Sequence, residues 1–331
     1  MALLSQAILD EFDERGYVVV RELLDPETDL KPLVDEYTDL VDSLSEKWFA
    51  EGKLPSTYSE LPFGERVTQL LKEGQPIFQE FDISLPPGLT KETPIHTGEA
   101  VLALLRHPQV LDAVECFIGP EITCNPVQHV RIKPPERLIP ESMLNGLVLF
   151  TDWHQDVGVV NASADATEML SVWIAVTDAT PENGCMVFIP GSHKGDIALH
   201  CSTQTSREPQ GKSGFIRRMV IPKAHRGPNE PVPVPINSGD AILFHRRTIH
   251  RSLPNKSDGL RWSLDLRYNP TGQPCGRDWL PGFVARSRAR PETELTDARV
   301  WTQLWEDTKE DLGENGTPAF FRWKEGDPRC A

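Results

Sequence analysis

No apolar run in this 331-residue chain approaches the roughly 20 residues that a bilayer span requires. The opening stretch MALLSQAILDEFDERGY meets acids within its first turn or two and lacks both a basic start and a small-residue cleavage site, so it does not read as a secretory signal. Positive charge is also scarce: 34 lysines and arginines stand against 49 aspartates and glutamates, for a net charge of −15. A surface that acidic repels phosphate backbones and anionic lipid, which argues against nucleic acid or a membrane as partner. Cysteine is sparse and never spaced as CxxC. Cys116, Cys124, Cys185, Cys201, Cys275 and Cys330 are scattered, the pattern of reduced, mostly buried thiols in a cytoplasmic protein rather than of a disulfide or zinc framework. No repeat of fixed period is visible.

What is present suffices for a substantial core. Hydrophobic residues make up 39% of the chain, which excludes a disordered polymer, while 29 prolines and 23 glycines favour a loop-rich fold over a helix bundle. The length is large for one ordinary domain, but β barrels with helical additions reach it, and one domain over residues 1–331 is expected. Residues 1–120 read as mostly helical. Leu30, Leu33, Val34, Tyr37, Leu40, Val41 and Leu44 recur at helical spacing behind Pro26, and shorter helices are expected over Ala100–Arg106 and Val110–Phe117. Over residues 121–270 the texture changes to short β-branched runs between turns: Val127–Ile132, Leu170–Val176, Met186–Ile189, Ala241–Phe244 and Trp262–Leu266. Short strands between turn signals predict a sandwich or barrel rather than a parallel sheet. Residues 271–331 read as a Gly/Pro-rich loop followed by a helix over Glu294–Leu312.

The sharpest local feature is Trp153-His154-Gln155-Asp156. On a strand, positions i and i+2 share a face, so His154 and Asp156 can present an imidazole and a carboxylate to one point. His250, far downstream, supplies a third ligand, and two histidines with one carboxylate leave open positions suited to Fe(II) chemistry. HxD alone is a common pattern, and a strand histidine satisfied by a neighbouring acid accounts for it equally. The surroundings add to it. Arg261 opens the alternating strand Arg261–Leu266, where a guanidinium can grip a carboxylate bidentately. Asn183-Gly184 through Pro190-Gly191-Ser192-His193-Lys194 joins a turn, a buried strand and a second turn, and Gly239-Asp240 delivers the strand ahead of His250.

Together with Gly16-Tyr17-Val18-Val19-Val20 and Lys133-Pro134-Pro135, these motifs resemble the phytanoyl-CoA dioxygenase family of Fe(II)- and 2-oxoglutarate-dependent oxygenases, over most of the span from Gly16 to Tyr268. The resemblance implies a mainly β fold with flanking helices, a double-stranded β-helix of the jelly-roll or cupin-like kind. It implies Fe(II) held by His154, Asp156 and His250, with 2-oxoglutarate and O2 as cosubstrates. Arg261 would anchor the far carboxylate of 2-oxoglutarate, Ser252 would assist, Trp173 would form a pocket wall, and Gln128 and Lys133 would be further contacts. Asp156 is intact, unlike in the halogenase variant of the family. The implied reaction is oxidation, above all hydroxylation, of an unactivated C–H bond of a small molecule with release of succinate and carbon dioxide. A non-catalytic metal- or ligand-binding jelly roll and a non-redox cupin metalloenzyme are the competing readings; the joint presence of His154, Asp156, His250 and Arg261 weighs against the first, and Arg261 discriminates against the second.

Other histidines are set aside. His245 would face away from His250 on a continuous strand, His193 belongs to a turn, and His129, His200 and His225 show no partner in the sequence. The acidic stretch Asp35–Glu46 reads as a solvated helix face. The segment from Lys212 to Arg226 carries five basic residues, among them Arg217 and Arg218, and no acid. It is expected either to form a lid facing an anionic substrate group or to be a solvated basic loop. A monomer and a homodimer are equally compatible with the sequence.

Overall fold

The computed structural model of the chain describes residues 4–86, 88–140, 151–203, 218–319, 322–323 and 326–330. Its helices are α1 (Gln6–Arg15), α2 (Lys31–Ala50), α3 (Phe63–Lys72), α4 (Ile77–Phe81), α5 (Glu99–Leu105), α6 (Pro108–Ile118) and α7 (Ala298–Asn315). Its strands are β1 (Tyr17–Val20), β2 (Glu121–Cys124), β3 (His129–Lys133), β4 (Leu170–Ala175), β5 (Met186–Phe188), β6 (Cys201–Thr203), β7 (Arg218–Val220), β8 (Val232–Val234), β9 (Ala241–His245), β10 (His250–Ser252), β11 (Arg261–Pro270) and β12 (Phe283–Ser287).

The larger sheet runs β1-β9-β4-β11-β2-β12, with β3 pairing β11, and the smaller runs β10-β5-β8; every pairing in them is antiparallel. Alternation along the strands decides what lies on each side. Leu170, Val172 and Ile174 of β4, Ala241 and Leu243 of β9, and Trp262, Leu264, Leu266 and Tyr268 of β11 join the helices in one core cluster. That cluster also takes in Tyr37 and Val41 of α2, Leu102 and Leu105 of α5, and Trp301 and Trp305 of α7. On the opposite face, Trp173, Ala175, Ile242 and Phe244 pack with Met186, Phe188 and Val234 of the smaller sheet. The two sheets therefore face each other, which is the mainly β jelly-roll architecture expected. Burying such side chains is worth about 1.5–3 kcal/mol each, so the helix-facing cluster is the main store of stability.

The boundaries expected between helical and β parts are crossed at both ends. β1 lies within residues 1–120 yet pairs β9, and β12 lies within residues 271–331 yet pairs β2. The long helix begins behind a single π turn at Pro26–Leu30, where the Asp25 carboxylate accepts the Glu27 and Thr28 N–H groups. The acidic face of α2 is only partly solvated, since Glu36 meets His96 at 2.9 Å and accepts the Ala100 N–H at the start of α5.

The cysteines depart from expectation. Cys201 and Cys330 form a disulfide, with their Cα atoms 5.6 Å apart, while Cys116, Cys124, Cys185 and Cys275 are free. Scattered spacing carried no sign of this pairing, because the fold alone returns the C-terminal tail to β6. Among the described residues no helix is long and apolar enough to cross a membrane.

Candidate metal centre

The two halves of the candidate ligand set meet by backbone pairing. His154 and His250 exchange N–H···O=C bonds of 3.0 Å each, which extends the smaller sheet by one strand-like segment beside β10. Ser252 continues the pairing: its N–H donates to the Thr151 carbonyl, and its Oγ accepts the Thr151 N–H at 2.9 Å. The HxD motif is not on a continuous strand, however. Gln155 is extended, but Asp156 opens a 3-10 turn over Asp156–Val159. Asp156 still reaches the same point as His154, with its Oδ1 lying 3.5 Å from His154 Nε2 and 3.8 Å from His250 Nε2. The donor atoms of His154, Asp156 and His250 all fall within 4.8 Å of one another.

Protonation favours cation binding. His154 Nδ1 meets the Asp152 carbonyl at 2.8 Å and His250 Nδ1 meets the Thr248 carbonyl at 3.0 Å. A carbonyl only accepts, so each Nδ1 carries a proton, and each Nε2 is the nitrogen turned toward the common point. Burial, reinforced by His154, pushes His250 down to about 3, so it is neutral at ordinary pH. Burial alone would raise the Asp156 carboxyl, but the Arg267 guanidinium and His154 outweigh it together and hold the group well below the usual carboxylate range. Two imidazoles and one ionised carboxylate converging on one point fit a divalent metal.

Arg267 is the residue that inspection of motifs missed. Its Nε–H donates to Asp156 Oδ2 at 3.1 Å and its Nη2–H to Oδ1 at 2.8 Å, and Ser171 Oγ also donates to Oδ2. Oδ2 is thus committed twice, and Oδ1 is the oxygen turned toward the histidines. The signal lay in the alternation of β11. Arg261, Ser263, Asp265 and Arg267 share the inward face, and only the first of them was singled out.

The remaining expected residues divide clearly. Lys133, Trp173, Ser252 and Arg261 line the same cavity as the three ligands, together with Arg131 and Asp265. Lys133 Nζ donates to Ser252 Oγ at 2.8 Å and to the Leu253 carbonyl at 2.6 Å. Burial, then the nearby Arg261 cation, drives its ammonium well below the usual lysine range. The Arg261 guanidinium is buried and lies 5.3 Å from the Trp173 ring centre. It donates to Ser263, its Nε has no hydrogen-bond partner, and burial lowers it to about 10. Among the described residues no carboxylate forms an ion pair with it, and the carboxylate that acts on its charge, Asp265 on the same wall, is bonded to Arg131 instead. A buried guanidinium of that kind fits an anionic ligand.

Gln128 does not belong to the cavity: it is buried beside Cys124, whose Sγ donates to Gln128 Oε1 at 3.5 Å. Of the basic segment, Lys212 and Arg217 lie outside the described residues and Arg218 opens β7. Arg226 stacks over Trp153 and donates its Nε–H to the Ile221 carbonyl, so it serves the outer side of the smaller sheet. Lys223 and Arg226 do not line the cavity. His245 and His250 are not on one strand, since a turn separates β9 from β10. His245 faces His193 instead, with ring centres 5.5 Å apart. His200, set aside for want of a partner, has one: its Nε2 accepts the Gln155 N–H at 3.0 Å.

Comparison with known proteins identifies the family of the chain. The family model described as phytanoyl-CoA dioxygenase matches residues 12–263. The peroxisomal phytanoyl-CoA dioxygenase of Rattus norvegicus is 26% identical over 216 residues, which cover 65% of this chain and 59% of that protein. Phytanoyl-CoA dioxygenase domain-containing protein 1 of Danio rerio is 36% identical over 115 residues, covering 31% of this chain and 37% of that one. The match therefore spans little more than half the length of the first of these relatives and less of the second. The solved structure of the non-heme monooxygenase ThoJ in its apo form superposes with a TM-score of 0.50 at 16% identity, covering 93% of this chain and 99% of that one, a likeness of fold.

Proposed function

The chain belongs to the phytanoyl-CoA dioxygenase family, and from that membership we propose that it is an Fe(II)- and 2-oxoglutarate-dependent dioxygenase that hydroxylates an unactivated C–H bond of a small molecule. The observation that carries the reading is one cavity lined both by three convergent candidate ligand side chains and by a buried arginine that has no ion-pair partner among the described residues. In this reading His154, Asp156 and His250 hold the iron, and Arg261 receives the far carboxylate of 2-oxoglutarate. Lys133 and Ser252 lie beside that carboxylate, and Trp173 closes one wall. The bound iron, 2-oxoglutarate and O2 supply the oxidising power, with succinate and carbon dioxide as coproducts.

The chain's own residues contribute positioning and exclusion of water. The backbone pairing of His154 with His250 fixes both imidazoles, and the commitment of Asp156 Oδ2 to Arg267 and Ser171 leaves Oδ1 as the donor. Arg131, whose Nε donates to Asp265 Oδ2 at 3.1 Å, adds a neutralised ion pair to the cavity wall, so any preference for an anionic substrate group rests on Arg261. The whole chain acts as one domain in this reading, since α7 and β12 complete the core and sheet that carry the site.

The test is an anaerobic titration of the metal-free protein with Fe(II) and then 2-oxoglutarate, followed by visible absorption. The expected result is a charge-transfer band that is absent in His154→Ala and weakened in Arg261→Ala. Iron that binds without producing the band upon 2-oxoglutarate addition overturns the proposal. A positive result leads to a substrate screen by succinate release, with anionic small molecules first.

A further inference from the structure

The segment Gln155–Gly158, which runs from the first metal-ligand histidine through Asp156, is held from outside the barrel by a small group of residues. His200, buried on the strand approach to β6, accepts the Gln155 N–H through Nε2 at 3.0 Å and sets its Nδ1 2.9 Å from the Ala198 carbonyl. The two contacts fix the tautomer and the ring plane. Gly158 lies against that ring so closely that a Cβ there would stand 2.2 Å from His200 Cε1. Trp323 stacks on His200, with ring centres 4.9 Å apart and planes 22° apart. Trp323 Nε1 donates to the Gly158 carbonyl at 2.7 Å, so one indole touches both the imidazole and the segment it supports. Arg322 grips Asp165 with two N–H groups, which ties the tail just beyond the same segment. Finally, Cys330 is bonded to Cys201, the residue after His200.

We propose that His200 and Trp323 are positioning residues for the metal-ligand segment, and that the Cys201–Cys330 disulfide locks them in place, so that its reduction loosens metal binding. The proposal rests on the reading of His154 and Asp156 as metal ligands. Its logic is that of outer-shell support, in which partners of the ligand-bearing backbone set the geometry and affinity of the site. A covalent bond next to His200 shortens the chain that must close over it. Trp323 and Cys330 lie beyond the matched family span of 12–263, while His200 and Cys201 lie within it. The reduction balances with a trialkylphosphine and water. The S–S bond takes two electrons and breaks, the water's two protons complete two thiols, and phosphorus takes the water's oxygen to become the phosphine oxide.

The test measures Mn(II) affinity by electron paramagnetic resonance on the full chain, oxidised and after phosphine reduction and desalting; Mn(II) has little affinity for the thiols released. Reduction should weaken Mn(II) binding by about tenfold, the lower end of outer-shell effects on metal affinity. Cys330→Ser should match the reduced protein. Trp323→Ala should bind weakly in both redox states, and Trp323→Phe, which keeps the stack on His200 but loses the N–H to Gly158, should fall between. Circular dichroism and melting confirm that each form is folded, and the untouched sequence in two redox states keeps the test valid if Trp323→Ala does not fold. Equal Mn(II) affinity in the oxidised, reduced and Trp323→Phe forms overturns the proposal, as do free thiols at Cys201 and Cys330 in protein purified without reductant. Adding Fe(II) and 2-oxoglutarate separates the two claims. If no form gives the charge-transfer band while Mn(II) affinity follows the disulfide, the cosubstrate reading fails and the brace stands. If the band forms while Mn(II) affinity ignores the disulfide, the brace fails alone.

Discussion

Asp156 sits between two claims on its charge: the guanidinium of Arg267 on one side and the cation that His154 and His250 would share on the other. In metal-free protein, Arg267 is what makes burial of that carboxylate tolerable. Arg267→Gln removes the charge and should destabilise the apo protein by about 3–5 kcal/mol, the usual cost of breaking a buried ion pair from one side. Bound Mn(II) gives the carboxylate another cation, so the loss should shrink when unfolding by urea is repeated with Mn(II) present. A loss that is the same with and without metal would show that Arg267 and the metal do not share this role. Sequence inspection reached the three ligands through their spacing and context but passed over Arg267. An arginine on a strand declares nothing about which carboxylate it will meet until β11 is set beside β4 and the Asp156 turn.

At the level of elements, the turns do as much as the strands to place the cavity wall. The Thr180–Gly184 turn is closed by side-chain bonds of Asn183, whose Oδ1 accepts the Thr180 N–H at 2.7 Å and whose Nδ2 donates to the Asp178 carbonyl at 2.9 Å. Gly184 then takes φ +103°, and a Cβ there would stand 2.6 Å from the Leu253 carbonyl oxygen. That same oxygen accepts from Lys133 Nζ. Gly184→Ala should therefore cost about 1–3 kcal/mol in backbone strain, read from the urea midpoint, and should also weaken 2-oxoglutarate binding through Lys133. An unchanged midpoint would mean that the turn relaxes without disturbing β10. The strands over Leu170–Ala175 and Ala241–His245 were legible because each joins a run of apolar residues to clear turn signals. β12 was not, because Phe283–Ser287 alternates weakly and includes two charged or polar positions in five. β6 escaped because Cys201–Thr203 is a short run without the apolar character that marked the equally short β5.

For the molecule as a whole, buried histidines outside the metal centre set how stability follows pH. Burial lowers His200 to about 4, and burial with Arg246 and Arg247 lowers His245 to about 3, both from 6.5. A depressed histidine binds fewer protons folded than unfolded, so stability is full above about pH 6.5 and falls as pH drops toward those lower values. Each group contributes a slope of about 1.4 kcal/mol per pH unit in that window. Urea unfolding at pH 7 and pH 5 should show the loss, and His245→Gln should reduce it; a flat profile would mean that these imidazoles protonate without unfolding. The chain by itself determined the class of fold, the three candidate ligands and the buried arginine behind them. Those depend on residue type, alternation and order along the chain, which are local properties. Only the tertiary structure decided the partner of Asp156, the exclusion of Gln128 from the cavity, the Cys201–Cys330 bond and the packing of Trp323 on His200. Each of these joins residues far apart in sequence, and no spacing rule encodes a contact made by the closing of one sheet on another or by the return of a tail.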